Sequence, residues 1–504
     1  MGRLLHETTS LCRHCKAAVP ARVVAEADHA VWMHKSCPDH GPQSVQLSDD
    51  ADWYEQTRAQ QSPALPPKTL KRPVELGCPF DCGACASHLQ KVRLPVVTIT
   101  SACQLACPIC YVHNKNDDPF HMTRDEFSRI LQALVAEHDG DVELINFTGG
   151  EPTQHPELLE FIRMSRDAGV HRVSICSNGI RIAQDEAFAA QLAALGARVA
   201  LSFDSFEENA DFAMQGAHLV ALKLKCLDVL QKYDIDTTLI PVMTRGVNDH
   251  EIGRIVHMAM QRPHVRHIEV HTMTYTGPGG AQFDRSGRIS IREVLARIEE
   301  TTQGWLRPDD FVPSPAAHPL CYQIAYCLLD PDGGLPVPFA RFVDRKTIVD
   351  CLSEHLYLEP TRKLEVAIRG AIDRLWVDGG EEGERILPLL KGLLNSMFPI
   401  GRTLSRDEAL RVSERASKAV YVHSHMDEET FDVERLAQCC DSNCYADGTT
   451  IPVCAYNVLY RDKESRFMEK PLAWGPRHGH LLPVVAARLA DVGAGPGVSR
   501  TVRP

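Results

Sequence analysis

The sequence contains no run approaching the roughly 18–20 apolar residues that a membrane-spanning helix needs. Its first residues, MGRLLHETTSLCRHC, lack the apolar segment of a secretory signal. Together these absences imply a cytoplasmic chain, in which thiols stay reduced. Positive charge is also short: 54 Lys and Arg stand against 66 Asp and Glu, for a net charge of −12. That balance argues against broad electrostatic binding of nucleic acid. Aromatic residues make up only 6% of 504 residues, yet 44% are hydrophobic and 24% charged, which excludes a collagen, a low-complexity polymer and a wholly disordered chain. At about 100–200 residues per domain, the length implies about two to four units. What the sequence does have is eighteen cysteines. They are too dilute for a disulfide-stapled mini-protein, and in a reducing compartment clustered thiols read as metal ligands.

Cys12 and Cys15 form a CxxC pair, and Cys37 and His40 follow in KSCPDHG. Two such knuckles about twenty residues apart can complete a tetrahedral zinc or iron site. The intervening ARVVAEADHAVWMH reads as a β-hairpin, giving a small metal-clipped β module over 1–50. The Gln-, Pro- and Lys-rich stretch RAQQSPALPPKTLKRP opens a linker and cluster motif over 51–92. Cys78, Cys82 and Cys85, then Cys103, Cys107 and Cys110, repeat the spacing CxxxCxxC. Three thiolates on a compact loop suit a cubane iron–sulfur cluster, one iron per cysteine with a fourth left over. Zinc would call for two separated CxxC pairs instead. Cys176 and Cys226 lie in apolar patterns and read as inert buried thiols. Cys321, Cys327, Cys439, Cys440, Cys444 and Cys454 could assemble a further cluster from separated loops.

Between about 95 and 275, short β-branched segments (95–100, 143–149, 172–177, 197–203, 237–243, 267–272) alternate with helical ones (123–137, 156–168, 184–195, 218–232, 249–261). Thr123 and Glu126 form a candidate capping box. The alternation predicts an α/β fold, a partial or full (β/α) barrel spanning 93–300, with cysteine-rich metal modules at both ends. A C-terminal auxiliary-cluster region would cover 301–465, and the Gly-, Pro- and Arg-rich end a partly disordered tail over 466–504. In such folds chemistry gathers at the C-terminal ends of strands. There stand Cys103, the run Gly149–Gly150–Glu151–Pro152, the run Ser177–Asn178–Gly179, and the pair Ser202 and Asp204. Each alone could be an ordinary turn or cap; their placement on successive strand ends points to one site.

These residues resemble the radical S-adenosylmethionine (SAM) superfamily, with CxxxCxxC at 103–110, GGEP at 149–152, SNG at 177–179 and the Ser202/Asp204 pair. The resemblance implies that Cys103, Cys107 and Cys110 bind a 4Fe–4S cluster whose fourth iron chelates SAM. It further implies that the backbone around Gly149, Gly150, Glu151 and Pro152 holds the methionine ammonium, with Asn178, Ser202 and Asp204 toward the ribose and methionyl ends. Reductive cleavage would yield a 5′-deoxyadenosyl radical that attacks carbons acid–base chemistry cannot reach. The family's usual aromatic before the third cysteine is absent: Ile109 stands there, with Tyr111 after the cysteine.

Over nearly the whole chain the motif order is similar to the subfamily of the archaeal tetraether lipid synthases and the dihydro-6-hydroxymethylpterin methyltransferases. That similarity implies a mononuclear iron or zinc at Cys12, Cys15, Cys37 and His40. It also implies auxiliary 4Fe–4S clusters at Cys78, Cys82 and Cys85 (His88 or Cys351 as a fourth ligand) and at Cys321, Cys440, Cys444 and Cys454. The partners expected are SAM, an organic substrate and an external one-electron donor such as flavodoxin or ferredoxin, with peripheral membrane contact through RILPLLKGLLNSMFPIG (385–401). Two reactions compete: C–C bond formation or methylation on a lipid chain, and modification of a small heterocycle such as a pterin or natural-product intermediate. A non-catalytic iron–sulfur electron carrier is the third reading, disfavoured by the intact GGEP and SNG motifs.

Overall fold

The computed structural model describes residues 2–464 and Arg466, apart from Gln61, Lys115, Pro331, Asp332 and Glu354. The tail expected over 466–504 otherwise lies outside the described residues. At the N-terminus β1 (Arg3–Leu11), β2 (Ala18–Ala25), β3 (Val31–Cys37) and β4 (Gly41–Ser48) pair in chain order as an antiparallel meander. Strand alternation sends Ala21, Val23, Val31, Met33 and Val45 to one face, where Tyr54 of the helix Ala51–Arg58 covers them. The expected hairpin is thus the middle of a four-stranded module.

The second sheet contains β5 (Leu94–Thr100), β6 (Leu144–Gly149), β7 (Arg172–Ser177), β8 (Ala197–Ser202), β9 (Thr237–Ile240), β10 (Val242–Met243) and β11 (Val265–Thr272). It continues through β12 (Val312–Pro313), β13 (Tyr322–Leu328), β14 (Val337–Pro338), β15 (Ser417–His423), β16 (Asp441–Cys444) and β17 (Thr450–Pro452). Its order is β12-β13-β15-β11-β9-β8-β7-β6-β5-β16-β17. From β5 to β11 the main strands are parallel neighbours in chain order, joined by helices that include Arg124–Glu137, Leu158–Asp167, Glu186–Ala194, Val220–Lys232 and Ile252–Gln261. The Thr123/Glu126 capping box forms as expected.

Period-two alternation divides these strands chemically. Outward residues such as Val97, Ile99, Phe147, Ile175, Leu201 and Ile268 meet apolar helix residues in one core. Inward residues such as Asn146, Thr148, Cys176, Ser202, Glu269 and His271 line a lumen whose wall also carries Leu94, Val96 and Ile240. Segment 301–465 does not stand apart: β13, β15 and β16 extend the same sheet. Across the lumen the Tyr322 hydroxyl donates to the Asp441 carboxylate, bringing β13 against β16 from opposite ends of the sheet. The result is a barrel closed by side chains.

The apolar stretch 385–401 lies largely in the helix Gly380–Met397. Its Ile386, Leu390, Leu393 and Met397 are buried with Ile368 and Ala371 of the helix Arg362–Asp378. The face offered by the sequence as a lipid contact is therefore a core face. Among the described residues no helix is long and apolar enough to cross a membrane.

The C-terminal helix Arg406–Ala416 is pinned to the barrel by buried charge. Glu414 accepts from Arg172 Nε at 2.8 Å and from Arg198 Nη1 at 2.6 Å. Burial alone would raise the Glu414 pKa, but the Arg198 and Arg172 guanidinium groups outweigh it and hold the carboxyl well below its usual range. A folded-state pKa below the unfolded value stabilises fully above about pH 4.3 and loses that contribution as the pH falls. Glu414→Gln should therefore cost on the order of 3 kcal/mol near pH 7, with the gap to wild type shrinking below about pH 4. Denaturant melts at both pH values check this; a pH-independent gap would contradict it.

Candidate active site and metal centres

The loop after β5 carries Cys103, Cys107 and Cys110, all facing the lumen. Asn116 fixes its start, accepting from Cys103 N at 3.0 Å and donating to Cys103 O at 2.9 Å. Its end rests on the Gly277–Gly280 turn, where Gly279 N donates to Cys110 O at 2.9 Å. A Cβ on Gly279 would fall 2.4 Å from Pro108 O, so only glycine lets the two backbones touch. Sequence reasoning passed over this GPGG turn. Burial pushes the Cys103 and Cys107 thiols up to about 12, with the neighbouring cysteines adding to the shift. Three converging sulfurs that resist ionisation on their own fit a multi-iron cation, which supplies the missing positive charge.

The GGEP turn is pressed against the same loop. Gly149 (φ +144°) would place a Cβ 2.1 Å from Thr100 O, and Gly150 one 2.2 Å from Ala102 O. Gly150 N and Glu151 N donate to those carbonyls at 2.8 and 2.7 Å. With these amides engaged, carbonyl oxygens are what the turn can offer an ammonium group. The Glu151 side chain is buried and points away into the protein. It accepts from Thr153 N and Oγ1, from Ser177 Oγ at 2.9 Å and from Asn178 N at 2.8 Å. It thereby locks the ends of β6 and β7 together. Pro152 begins the following short turn, and Asn178 Oδ1 accepts from Ile180 N and from Gln104 Nε2.

At the end of β8 the expected pair separates. Ser202 lines the lumen and accepts from Lys223 Nζ at 3.3 Å. Asp204 is buried behind it, accepting from Val242 N at 2.8 Å and from the Gln215 amide, whose oxygen in turn receives the Cys107 thiol at 3.4 Å. Asp204 lies outside the lumen lining and reaches the cysteine loop through Gln215. Lys223, fully buried on the helix Val220–Lys232, was hidden by its place in a mixed helical pattern that reads as solvated lysine.

Cys78, Cys82 and Cys85 also converge: burial and their mutual proximity raise Cys78 to about 12 and push Cys82 well above its usual value. Of the two fourth-ligand candidates, His88 borders this triplet but is engaged with Cys439 O at 2.8 Å, and Cys351 belongs to the separate C-terminal core. The other auxiliary set is rearranged. Burial, Asp441, Cys454 and Cys321 raise the Cys439 thiol, so Cys321, Cys439 and Cys454 share one locality beside Arg435. Cys444 does not join them, whereas burial, Asp441 and the neighbouring Cys439 raise the Cys440 thiol. Cys440 is buried in the C-terminal core, and Cys444 faces outward from β16 into the main core. His425 Nδ1 lies 3.8 Å from Cys454 Sγ, and His271, His423 and His425 cluster in the lumen around Glu269. Glu269 is held below the usual carboxylate range because hydrogen bonds from His271 and His423 outweigh its burial.

In the N-terminal module the four expected ligands meet. His40 Nδ1 lies 3.6 Å from Cys12 Sγ and 3.5 Å from Cys37 Sγ, and Cys15 Sγ is 3.8 Å from Cys37 Sγ. Burial raises the Cys12 pKa, but backbone N–H groups of Cys15 and His14 and the Gln43 amide bring it down to about 6, as a metal-ready thiolate requires.

Residues 97–259 match the radical SAM superfamily and residues 4–49 the HMPTM N-terminal zinc ribbon domain. The chain carries a radical SAM domain and is a radical SAM enzyme. Along nearly its full length it is similar to the 7,8-dihydro-6-hydroxymethylpterin dimethyltransferase of Methanocaldococcus jannaschii. The two are 28% identical over 506 residues, covering 94% of this chain and 97% of the relative. The GTP 3′,8-cyclase of Chlorobaculum tepidum is 28% identical over 206 residues, 40% of this chain and 60% of that protein. Among solved structures, Streptococcus suis SuiB bound to S-adenosylmethionine overlays with a TM-score of 0.34 at 15% identity, covering 43% of this chain and 49% of SuiB.

Glu151→Ala would strand several buried donors and should cost about 3 kcal/mol, lowering both the melting temperature and SAM affinity in equilibrium dialysis. Unchanged SAM affinity would disprove the clamp. Cys37→Ala should remove one metal ion per chain by elemental analysis while iron–sulfur absorbance persists.

Proposed function

We propose that this enzyme adds a methyl group to a ring carbon of a pterin-type substrate, a hydroxymethyl-dihydropterin. The similarity spanning 94% of this chain and 97% of a pterin dimethyltransferase carries the reading. Polar inward groups such as Asn146, Asp441 and Asn443 suit a heterocycle with N–H and C=O groups, and the lipid-chain reading finds no support once stretch 385–401 is accounted for as core.

In this reading Cys103, Cys107 and Cys110 hold the catalytic 4Fe–4S cluster. Gly149 and Gly150 would hold SAM through their carbonyls, with Ser202 and Asn178 beside it and Lys223 behind Ser202. Glu151, Pro152 and Asp204 hold those groups in place. When bound, cluster and SAM would supply a 5′-deoxyadenosyl radical able to take hydrogen from an unactivated carbon; because that cleavage leaves the methyl group on methionine, the transferred methyl would come from a second SAM, released as S-adenosylhomocysteine, with two electrons drawn from the external donor. The protein's task is to orient the ring and keep water from the lumen. Cys78, Cys82 and Cys85, and separately Cys321, Cys439 and Cys454, hold auxiliary clusters. Cys12, Cys15, Cys37 and His40 hold a zinc ion. The electrons come, one at a time, from a flavodoxin or ferredoxin, and the unit over 93–300 is the radical SAM core.

Anaerobically reconstituted protein with SAM, dithionite and 6-hydroxymethyl-7,8-dihydropterin should release 5′-deoxyadenosine and a pterin one methyl heavier by mass spectrometry. Cys107→Ala should abolish both. Nucleoside release with no change in the pterin would refute the substrate, and normal release from Cys107→Ala would refute the core ligand assignment.

A further inference from the structure

Resting on the pterin reading, we propose that Asp441 and Asn443 form the subsite that reads the substrate's 2-amino-4-oxopyrimidine edge. β16 pairs in parallel with β5, matching Asp441 to Leu94 and Asn443 to Val96. Alternation turns Asp441 and Asn443 into the lumen, and turns Cys444 outward into the main core. Both inward side chains are more than nine-tenths buried, at 4% and 3% exposure.

Their hydrogen-bonding states are complementary. Asn443 Nδ2 is buried with no partner in the protein. A buried amide donor left alone costs free energy that a ligand carbonyl would recover. Asp441 accepts from the Tyr322 hydroxyl and from Cys440 Sγ, one bond to each oxygen, so each oxygen retains a lone pair. Two residues along a strand, roughly 6.6 Å apart, the protein thus presents an acceptor pair followed by a donor. The matching edge offers two N–H donors followed by a carbonyl, which is the lactam–amidine edge of a 2-amino-4-oxopyrimidine. Beside them Leu94 and Val96 supply an apolar wall for the ring face.

Guanine carries the same edge, so the assay separates the two sources. Binding to the reconstituted holoenzyme is measured by equilibrium dialysis for 6-hydroxymethyl-7,8-dihydropterin, for its 2-oxo analogue and for GTP. Wild type should prefer the 2-amino pterin over both. Asp441→Asn should weaken it about 10- to 100-fold and erase the preference over the 2-oxo ring. This ratio is insensitive to partial loss of folded protein. Asn443→Leu should weaken the pterin while raising the melting temperature of the ligand-free protein, because it removes the unpartnered amide. Pterin binding with an unchanged 2-amino preference in Asp441→Asn, or a lowered melting temperature with unchanged binding in Asn443→Leu, would overturn the subsite alone. Selective, Asp441-dependent binding of GTP would keep the subsite and overturn the pterin substrate. Binding of neither ring by wild type would overturn both.

Discussion

The mouth of this barrel depends on one steric constraint, the contact of the β6 turn with the β5 loop at the distance of bare backbone. Gly149 and Gly150 lie where any side chain would collide with Thr100 and Ala102, and Glu151 then holds the next strand end through its buried carboxylate. The cysteine loop begins one residue beyond Ala102, so its path follows from that contact. Gly279 repeats the device at the loop's other end. Two glycine contacts therefore fix the loop at both sides, and the three sulfurs need little further guidance. Preorganisation of this kind means that binding a cluster costs little loop entropy.

The same economy governs the barrel wall. Outward positions satisfy the helices with aliphatic bulk, which leaves the inward positions free to be polar. Glu269 with its histidines, and Asp441 with Tyr322, are inward carboxyl groups that meet partners before any ligand arrives. A lumen built this way keeps its shape while presenting a few unsatisfied atoms. Those few atoms decide what it recognises.

Much of this was legible in the chain. The strands from 95 to 272 and their helices follow from apolar periodicity, because both faces of each strand–helix unit are set locally. CxxxCxxC and GGEP were legible because their residues are covalent neighbours. The assignment among Cys439, Cys440 and Cys444 was not, since it turns on which way a four-residue strand faces, and pairing with β5 decides that. Lys223 escaped notice because burial of a helical lysine depends on the Ser202 and Cys107 environment opposite it. The union of segments 301–465 and 93–300 in one sheet rests on pairings hundreds of residues apart, for which no local pattern exists.

The zinc-ribbon module is joined to the far end of the chain. Lys35 Nζ, buried, donates to the Glu428 and Glu429 carbonyls across 393 and 394 positions, Lys16 Nζ to Val458 O, and Thr8 to Asp432 at 2.6 Å. Its own strands pair with near neighbours and can form early during synthesis, whereas its docking surface is made late. The stretch it grips also walls the lumen, through His425, Asp441, Asn443 and Arg461. The wall of the lumen is therefore held by contacts that span most of the chain, with the N-terminal module bracing it from outside.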